Sequence, residues 1–287
     1  MKTTDKYKNT IFWKRTAVCL VKFLISFIVA VIMIYPLWYM VTGSFKDPIE
    51  FVKTPPSFFP EKPILDNFKE VLGKTNLIGT FYMNSFTVAL TIPILQTVVC
   101  LPAAYAFARL RFPCKNFIFM LFMGAMMLPG QMTMITNYVT MIKLNLQNKL
   151  LSLILLGVFS TLAIFMMRQY FMNLPRELEE AAKIDGCSEF GAFLRIAAPL
   201  AKSIVAVNVI LCFNGVWGDF FGPMILLRST EKMTLPLGMT IIQGAYATTS
   251  RAVVTAALTL SIIPSTIIYF LFRKQLISGI ASSGLKM

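Results

Sequence analysis

The sequence predicts an all-α membrane protein with six transmembrane helices. Three observations carry that reading. Only 14% of the residues are charged and 56% are apolar, whereas a water-soluble domain carries about 25% charge. The mean hydropathy is +0.69. The apolar residues also gather into six nearly charge-free windows, five of which meet outright the roughly 20 residues a helix needs to cross about 30 Å of hydrocarbon.

In chain order the windows are Phe23–Phe45, Thr75–Ala108, Asn116–Ile142, Leu150–Met167, Ser203–Leu227 and Ala252–Phe272. Leu150–Met167 reaches full length by continuing through Arg168 to Phe171, and Ser203–Leu227 is interrupted only by Asp219. Backbone amides in lipid must bond to one another, which leaves helices or closed barrels. These long runs lack the alternation of barrel strands. The first window exceeds the apolar core of a secretory leader, and no small-x-small cleavage site follows it, so it reads as a retained anchor. Pro93, Pro102, Pro129 and Pro264 each remove a helical hydrogen bond. Kinks in helices that rock and static bends satisfied by neighbours are both compatible with them. The methionines of the third window (Met120, Met123, Met126, Met127, Met132, Met134) read as adaptable packing.

The net charge is +14. Nucleic-acid binding would require a basic face on a soluble module. Here the basic residues fall between apolar windows, as in a protein whose orientation they fix. With the N-terminus inside, seventeen lysines and arginines fall in internal connections and ten in external ones, where Asp47, Glu50, Glu61, Asp66 and Glu70 dilute them. The expectation is that both termini are cytoplasmic. The chain then divides into an N-terminal tail, 1–16, and a membrane domain, 17–287, with an external segment 44–79, an internal loop 173–202 and a C-terminal tail 273–287.

Several chemistries are excluded. There is no histidine, so the common proton shuttle and His-ligated zinc are absent. The five cysteines, Cys19, Cys100, Cys114, Cys187 and Cys212, lie far apart with no C-x-x-C, and read as buried free thiols. No G-x-x-x-x-G-K-[ST] occurs, so the chain has no phosphate-binding loop of its own. No catalytic residue, metal ligand or bound cofactor is expected.

Two connections are long. In the external one, Pro55, Pro56, Pro60 and Pro63 imply extended chain, and Leu65, Phe68, Val71 and Leu72 have helical spacing. That short helix either caps the bundle or helps dock an external partner. The internal loop begins with Pro175, suited to a first helical turn, and Glu177 and Glu179, suited to the positive end of a helix dipole. Arg176–Glu180 and Glu179–Lys183 are spaced to pair. Asp185-Gly186 breaks this helix, because glycine accepts the left-handed conformation. A second helical run covers Ser188–Ile196, and Pro199 begins the return to the membrane. Anionic headgroups would repel the acidic first helix, whereas a protein groove would accept it.

Glu180-Ala181-Ala182, Gly186, Ile196 and Pro199 together resemble the EAA loop of ABC importer permeases. Asn84-Ser85-Phe86, the run Ala103 to Pro113 and Met167-Arg168-Gln169-Tyr170-Phe171 resemble the carbohydrate-uptake branch, particularly the smaller permease subunit of maltose-type transporters. The resemblance implies a type I ABC importer permease bundle in the cytoplasmic membrane of a bacterial cell. It also implies a second permease subunit, two cytoplasmic ATPase subunits holding ATP and Mg, and an extracellular sugar-binding protein. Glu180, Ala181, Ala182, Asp185, Gly186, Arg195, Ile196 and Pro199 would couple to the ATPase, and Gly284 and Lys286 of the tail would reach toward it. One departure stands out: Trp217 is followed by Gly218, Asp219 and Phe220, without the family's usual amide.

Asn84, Gln131, Asn214, Trp217 and Asp219 are the candidates for a polar translocation pathway. Indole rings stack on sugars, amides bond hydroxyls, and an intramembrane acid is a functional candidate. Placement of Asp219 near an outer mouth and ordinary interhelical amide bonding are the competing readings. Within the chain, a free-standing secondary transporter or channel would require more buried charge than Asp219. A permease for a non-sugar solute is the other alternative.

Overall fold

The structure, a computed structural model, describes residues 2–73, 77–246 and 250–284. Regular structure among these residues is helical. The elements are α1 (Lys2–Gly43), α2 (Pro48–Phe51), α3 (Asp66–Gly73), α4 (Leu77–Arg109), α5 (Lys115–Met126), α6 (Gly130–Lys143), α7 (Leu150–Gly157) and α8 (Thr161–Asn173). Then come α9 (Glu177–Ile184), α10 (Glu189–Ala192), a π-helical turn (Phe193–Ala197), α11 (Ala198–Leu200) and α12 (Lys202–Trp217). The last are α13 (Phe221–Leu226), a 3₁₀ turn (Thr230–Lys232), α14 (Leu235–Tyr246) and α15 (Arg251–Gly284).

Four stretches are long and apolar enough to cross a membrane without pairing with a neighbour across a sharp bend: Val18–Gly43, Leu77–Arg109, Leu150–Asn173 and Arg251–Arg273. Two more qualify as pairs, Lys115–Met126 with Gly130–Lys143, bent by 101°, and Glu189–Leu200 with Lys202–Trp217, bent by 69°. The count of six therefore holds when each bent pair is one span, but three of the expected helices are not continuous. The third window breaks at Pro129, which takes an extended conformation (ψ 132°) ahead of α6. A proline both lacks an N–H and forces its predecessor out of helical geometry, so the chain turns rather than kinks. The fourth breaks at residues 158–160, where the Ser160 hydroxyl caps α8 by accepting the Ala163 N–H at 3.2 Å. The fifth ends at Trp217, and Leu227 lies beyond the separate helix α13. Helix α14, at 12 residues, is too short for a criterion of about 20 and was not anticipated. Pro93, Pro102 and Pro264 lie inside continuous helices.

The chain divides into two compact units, Met1–Val71 with Ala245–Leu260, and Leu72–Gly244 with Ser261–Met287. In the first unit the segment after α1 is folded, not extended. Asn67, buried in α3, donates to the carbonyls of Ser44 (2.9 Å) and Lys46 (2.8 Å). The buried Glu50 carboxylate accepts from the Ser57 hydroxyl and the Glu61 N–H. The polar Asn67 thus shares the inner face of α3 with Val71, while Leu65 and Leu72, expected there, are exposed. Carbonyls at a chain reversal need donors, and that need outweighed the apolar pattern.

In the second unit α4 is the central post, packed against α8 and α12. One buried cluster joins Cys100, Ala104, Tyr105 and Phe107 of α4 to Ile164, Met167 and Phe171 of α8 and to Phe193 and Ala197 of the π turn. A second cluster joins Val88 and Ile92 to Met141, Leu153, Ile154, Leu226 and Leu227. Small residues allow close approach: a Cβ on Gly157 would lie 2.7 Å from Ile92, and one on Gly238 would lie 2.2 Å from the Phe81 ring.

Candidate functional site

The loop between α8 and α12 forms a rigid knuckle, and its first element shows why. Arg176 closes the first turn of α9, its carbonyl accepting from the Glu179 and Glu180 N–H groups at 3.0 Å each. The helix ends in a left-handed glycine, Gly186 (φ +84°), and the Cys187 N–H reaches back to the Ala182 carbonyl at 2.9 Å. This six-to-one closure is the Schellman motif, the break expected at Asp185-Gly186. Ser188 then caps α10, accepting from the Gly191 N–H at 3.1 Å. The following helix loosens into the π turn Phe193–Ala197, where the Ala198 N–H bonds the Phe193 carbonyl. Pro199, four residues after Arg195, has no N–H to offer that carbonyl, which accounts for a register change at this point. The Tyr170 hydroxyl donates to the Leu200 carbonyl at 2.8 Å, satisfying the bend before α12.

The knuckle is fastened to the end of α4. Tyr105 and Arg109, one turn apart, face the same way. The Arg109 Nε lies 3.1 Å from Glu179 Oε1, with side chains 5% and 12% exposed. That approach is off the N–H axis, so it is a Coulombic pair more than a linear hydrogen bond. Arg109 Nη2 also donates to the Leu174 carbonyl at 2.6 Å. The Tyr105 hydroxyl donates to Glu179 Oε2 at 3.3 Å. Its ring packs 5.5 Å from that of Phe171 and 5.0 Å from that of Phe193, gripping the second helix of the loop as well. Two other cations gather at the carbonyl-rich end of α4: Lys115 Nζ donates to the Leu110 carbonyl at 2.9 Å and Arg168 Nε to that of Phe107 at 3.2 Å. Cations favour this negative helix end. Beside the clamp is a cleft of about 450 Å³ bordered by Arg109, Arg111, Arg176, Glu179, Glu180 and Glu189.

Of the expected coupling residues, Glu180, Ala181, Asp185, Gly186, Arg195 and Pro199 are exposed and Ile196 is half-buried. Ala182 is buried in the chain's own packing, at 5% exposure. Glu179 makes its ion pair with Arg109; the Lys183 side chain lies outside the described residues, as does Lys286. Gly284 ends α15. Sequence reasoning missed the Tyr105–Arg109–Glu179 clamp, although a lone arginine closing a charge-free window opposite an acidic loop was a visible signal. It also did not single out the exposed apolar residues Ile184 and Phe190, of which Ile184 is 86% exposed.

The pathway candidates do not converge. Asn84 donates its amide hydrogens to the Glu231 and Met233 carbonyls at 2.8 and 2.9 Å. Trp217 is buried among Tyr82, Phe86 and Phe213, its Nε1 donating to the Ser261 carbonyl at 3.0 Å. Gln131 and Asn214 are exposed. Asp219 Oδ1 accepts the Gly222 N–H at 3.2 Å ahead of α13. Among the described residues, no group of three metal-ligating side chains gathers.

Residues 71–282 match the family of binding-protein-dependent transport system inner membrane components. The chain belongs to this family. It is a permease of the ABC transport type, a multi-pass membrane protein of the inner membrane. Among its relatives is the arabinooligosaccharides transport system permease protein AraQ of Halalkalibacterium halodurans, 32% identical over 260 residues, covering 90% of this chain and 93% of the relative. The galactooligosaccharides transport system permease protein GanQ of Bacillus subtilis is 33% identical, covering 93% and 95%. The maltodextrin transport system permease protein MalD of Streptococcus pneumoniae is 29% identical, covering 96% and 98%. A chain from the solved structure of a bacterial ABC transporter involved in import of the acidic polysaccharide alginate superposes with a TM-score of 0.81 at 24% identity, over 90% of this chain and 96% of that one. The permease fold is thereby shared.

Proposed function

We propose that this permease forms half of the translocation pathway of an ATP-driven importer of a sugar or oligosaccharide. It performs no catalysis and binds no cofactor: ATP and Mg are held by two cytoplasmic ATPase subunits. A second permease chain completes the pathway, and an extracellular sugar-binding protein delivers the cargo. Both termini and the 173–202 knuckle face the cytoplasm, while segment 44–79 faces outward.

The observation that carries this reading is the form of the knuckle. Its inner side is clamped to α4 through Glu179 and Phe193, with Ala182 buried, while Ala181, Ile184 and Phe190 are offered outward. An element joined tightly to a long helix and apolar on its free side transmits force as a rigid body when a partner grips it. Closure of an ATPase dimer on such a knuckle would swing α4 and the helices packed on it. The sugar assignment is supported by the three relatives above, whose names concern arabinooligosaccharides, galactooligosaccharides and maltodextrin. The orientation is supported by the seventeen-to-ten distribution of basic residues.

The test is uptake of labelled arabinotriose, galactotriose and maltotriose by cells with and without the chain, together with purification of the tagged chain. Loss of uptake of one of them on deletion, and recovery of an ATPase with the tag, is expected. Transport by the isolated chain in vesicles without ATP would point to a secondary transporter and overturn the reading.

A further inference from the structure

Polar side chains inside the second unit are mostly spent on backbone groups or on one another. Gln96 donates to the Gly157 carbonyl and accepts from Asn208, the Ser85 hydroxyl accepts the Leu235 N–H, and Asn84 and Trp217 bond carbonyls. One place is different. A cavity of about 240 Å³ bounded by α4, α6, α7, α12 and α13 is lined by Asn137, Asp219 and Thr234 among aliphatic walls. Thr234 is 3% exposed, and its Oγ1 has no hydrogen-bond partner. The Asn137 amide has none among the described residues. Asp219 spends Oδ1 on the Gly222 N–H. Its Oδ2 lies beside Gly222, where a Cβ would come within 2.5 Å of it, and takes no hydrogen bond among the described residues.

A buried hydroxyl without a partner is a standing cost. Three unspent polar groups on one cavity make it a place where a ligand's polar atoms would be favoured. We propose that Asn137, Asp219 and Thr234 form a subsite in this subunit for hydroxyl groups of the transported carbohydrate. The chemistry fits: a carboxylate oxygen accepts, while the amide and the threonine hydroxyl both donate and accept, the pattern that matches neighbouring hydroxyls of a sugar. A hard divalent cation would want about six to eight oxygens, and the remaining walls, Val88, Ile92 and Leu153, supply none. The cavity is smaller than the roughly 300–1,000 Å³ that encloses a whole ligand, so it holds one edge of a ring. Asp219 lies two residues beyond α12, at the end away from the knuckle, which places the subsite a full helix length from the ATPase side. The proposal rests on the sugar-importer reading. It adds that this subunit, and not only its partner, touches the cargo.

The experiment uses cells carrying the assembled transporter and whichever of labelled arabinotriose, galactotriose and maltotriose it imports, with monodeoxy analogues as competitors. The extracellular receptor is unchanged between strains, so its own preferences cancel in the comparison. Thr234→Val should lower maximal uptake about tenfold at normal membrane levels and abolish discrimination against one particular deoxy analogue. Thr234→Ser, which keeps the hydroxyl, should restore both to within about twofold. A site built to bond a hydroxyl rejects the analogue lacking it, and loses that preference when its own group is removed. Asp219→Asn, which retains the Gly222 cap, should shift the same analogue's ratio and serves if Thr234→Val does not accumulate. Uptake and analogue ratios in Thr234→Val and Asp219→Asn equal to wild type would overturn the proposal. So would a Thr234→Ser variant as defective as Thr234→Val, which would assign the effect to packing. Import of none of the three sugars by the wild-type transporter would instead overturn the sugar reading, and the subsite with it.

Discussion

Replacing Glu179 by Gln removes one charge from the clamp while preserving its shape. At the observed 3.1 Å and an effective dielectric of 20, the attraction is about 5 kcal/mol before desolvation is counted. The net worth of the pair is smaller, but removing one partner leaves Arg109 buried and uncompensated, which typically costs about 3–5 kcal/mol. With 1.4 kcal/mol per tenfold, the lower figure raises the population of the detached knuckle about 100-fold. Amide hydrogen exchange on the assembled transporter reads this directly, because local opening sets the exchange rate. Amides of 179–187 should exchange about 100-fold faster in Glu179→Gln, with those in the middle of α4 unchanged. The double variant Arg109→Met/Glu179→Met removes both charges and should recover much of the protection. Exchange in Glu179→Gln within about threefold of wild type would refute the clamp as the fastening.

The other predictions concern glycines and a control. Gly186→Ala meets no neighbour within 4 Å but must hold φ +84°, a left-handed conformation costing about 1–2 kcal/mol for a residue with a Cβ. Insertion should be normal and ATP-dependent uptake should fall several-fold, read as uptake per chain by immunoblot-normalised assay. Gly238→Ala drives a methyl against the buried Phe81 ring. It should destabilise by about 1–3 kcal/mol, visible as a lower aggregation temperature in detergent. Gly130→Ala, with open space around it, should leave that temperature unchanged.

Much of the architecture was legible because matching apolar length to a bilayer is a coarse requirement. Apolar runs of span length in a chain with so little charge admit few solutions, and windows one, two and six appear as unbroken helices. The breaks were less legible because they depend on local hydrogen bonding. Pro129 was visible, yet only the geometry distinguishes a proline carried inside a continuous helix, as at Pro93, from a bend of 101°. The knuckle could be read in outline because Gly186 and Ser188 impose their geometry locally. The partner of Glu179 could not, since the choice between Lys183 on its own helix and Arg109 on α4 is made by tertiary packing. The same holds for Ala182: its burial against the chain's own interior follows from the seating of α9, and the alanine pair alone gives no preference for which methyl faces inward. Polar residues in membrane windows were ambiguous for a related reason. Asn84 and Trp217 are spent on backbone carbonyls, and Thr234, which lies outside every window, carries no sign in the sequence of its burial.

The measurement that bears most directly on the coupling role of the knuckle is labelling of Ile184→Cys, in a chain otherwise lacking its five cysteines, by a membrane-impermeant maleimide. A cytoplasmic knuckle gripped by the ATPase predicts rapid labelling in inverted vesicles stripped of the ATPase, little in right-side-out vesicles, and protection when the ATPase is added back. Labelling from the outer face, or indifference to the ATPase, would contradict it.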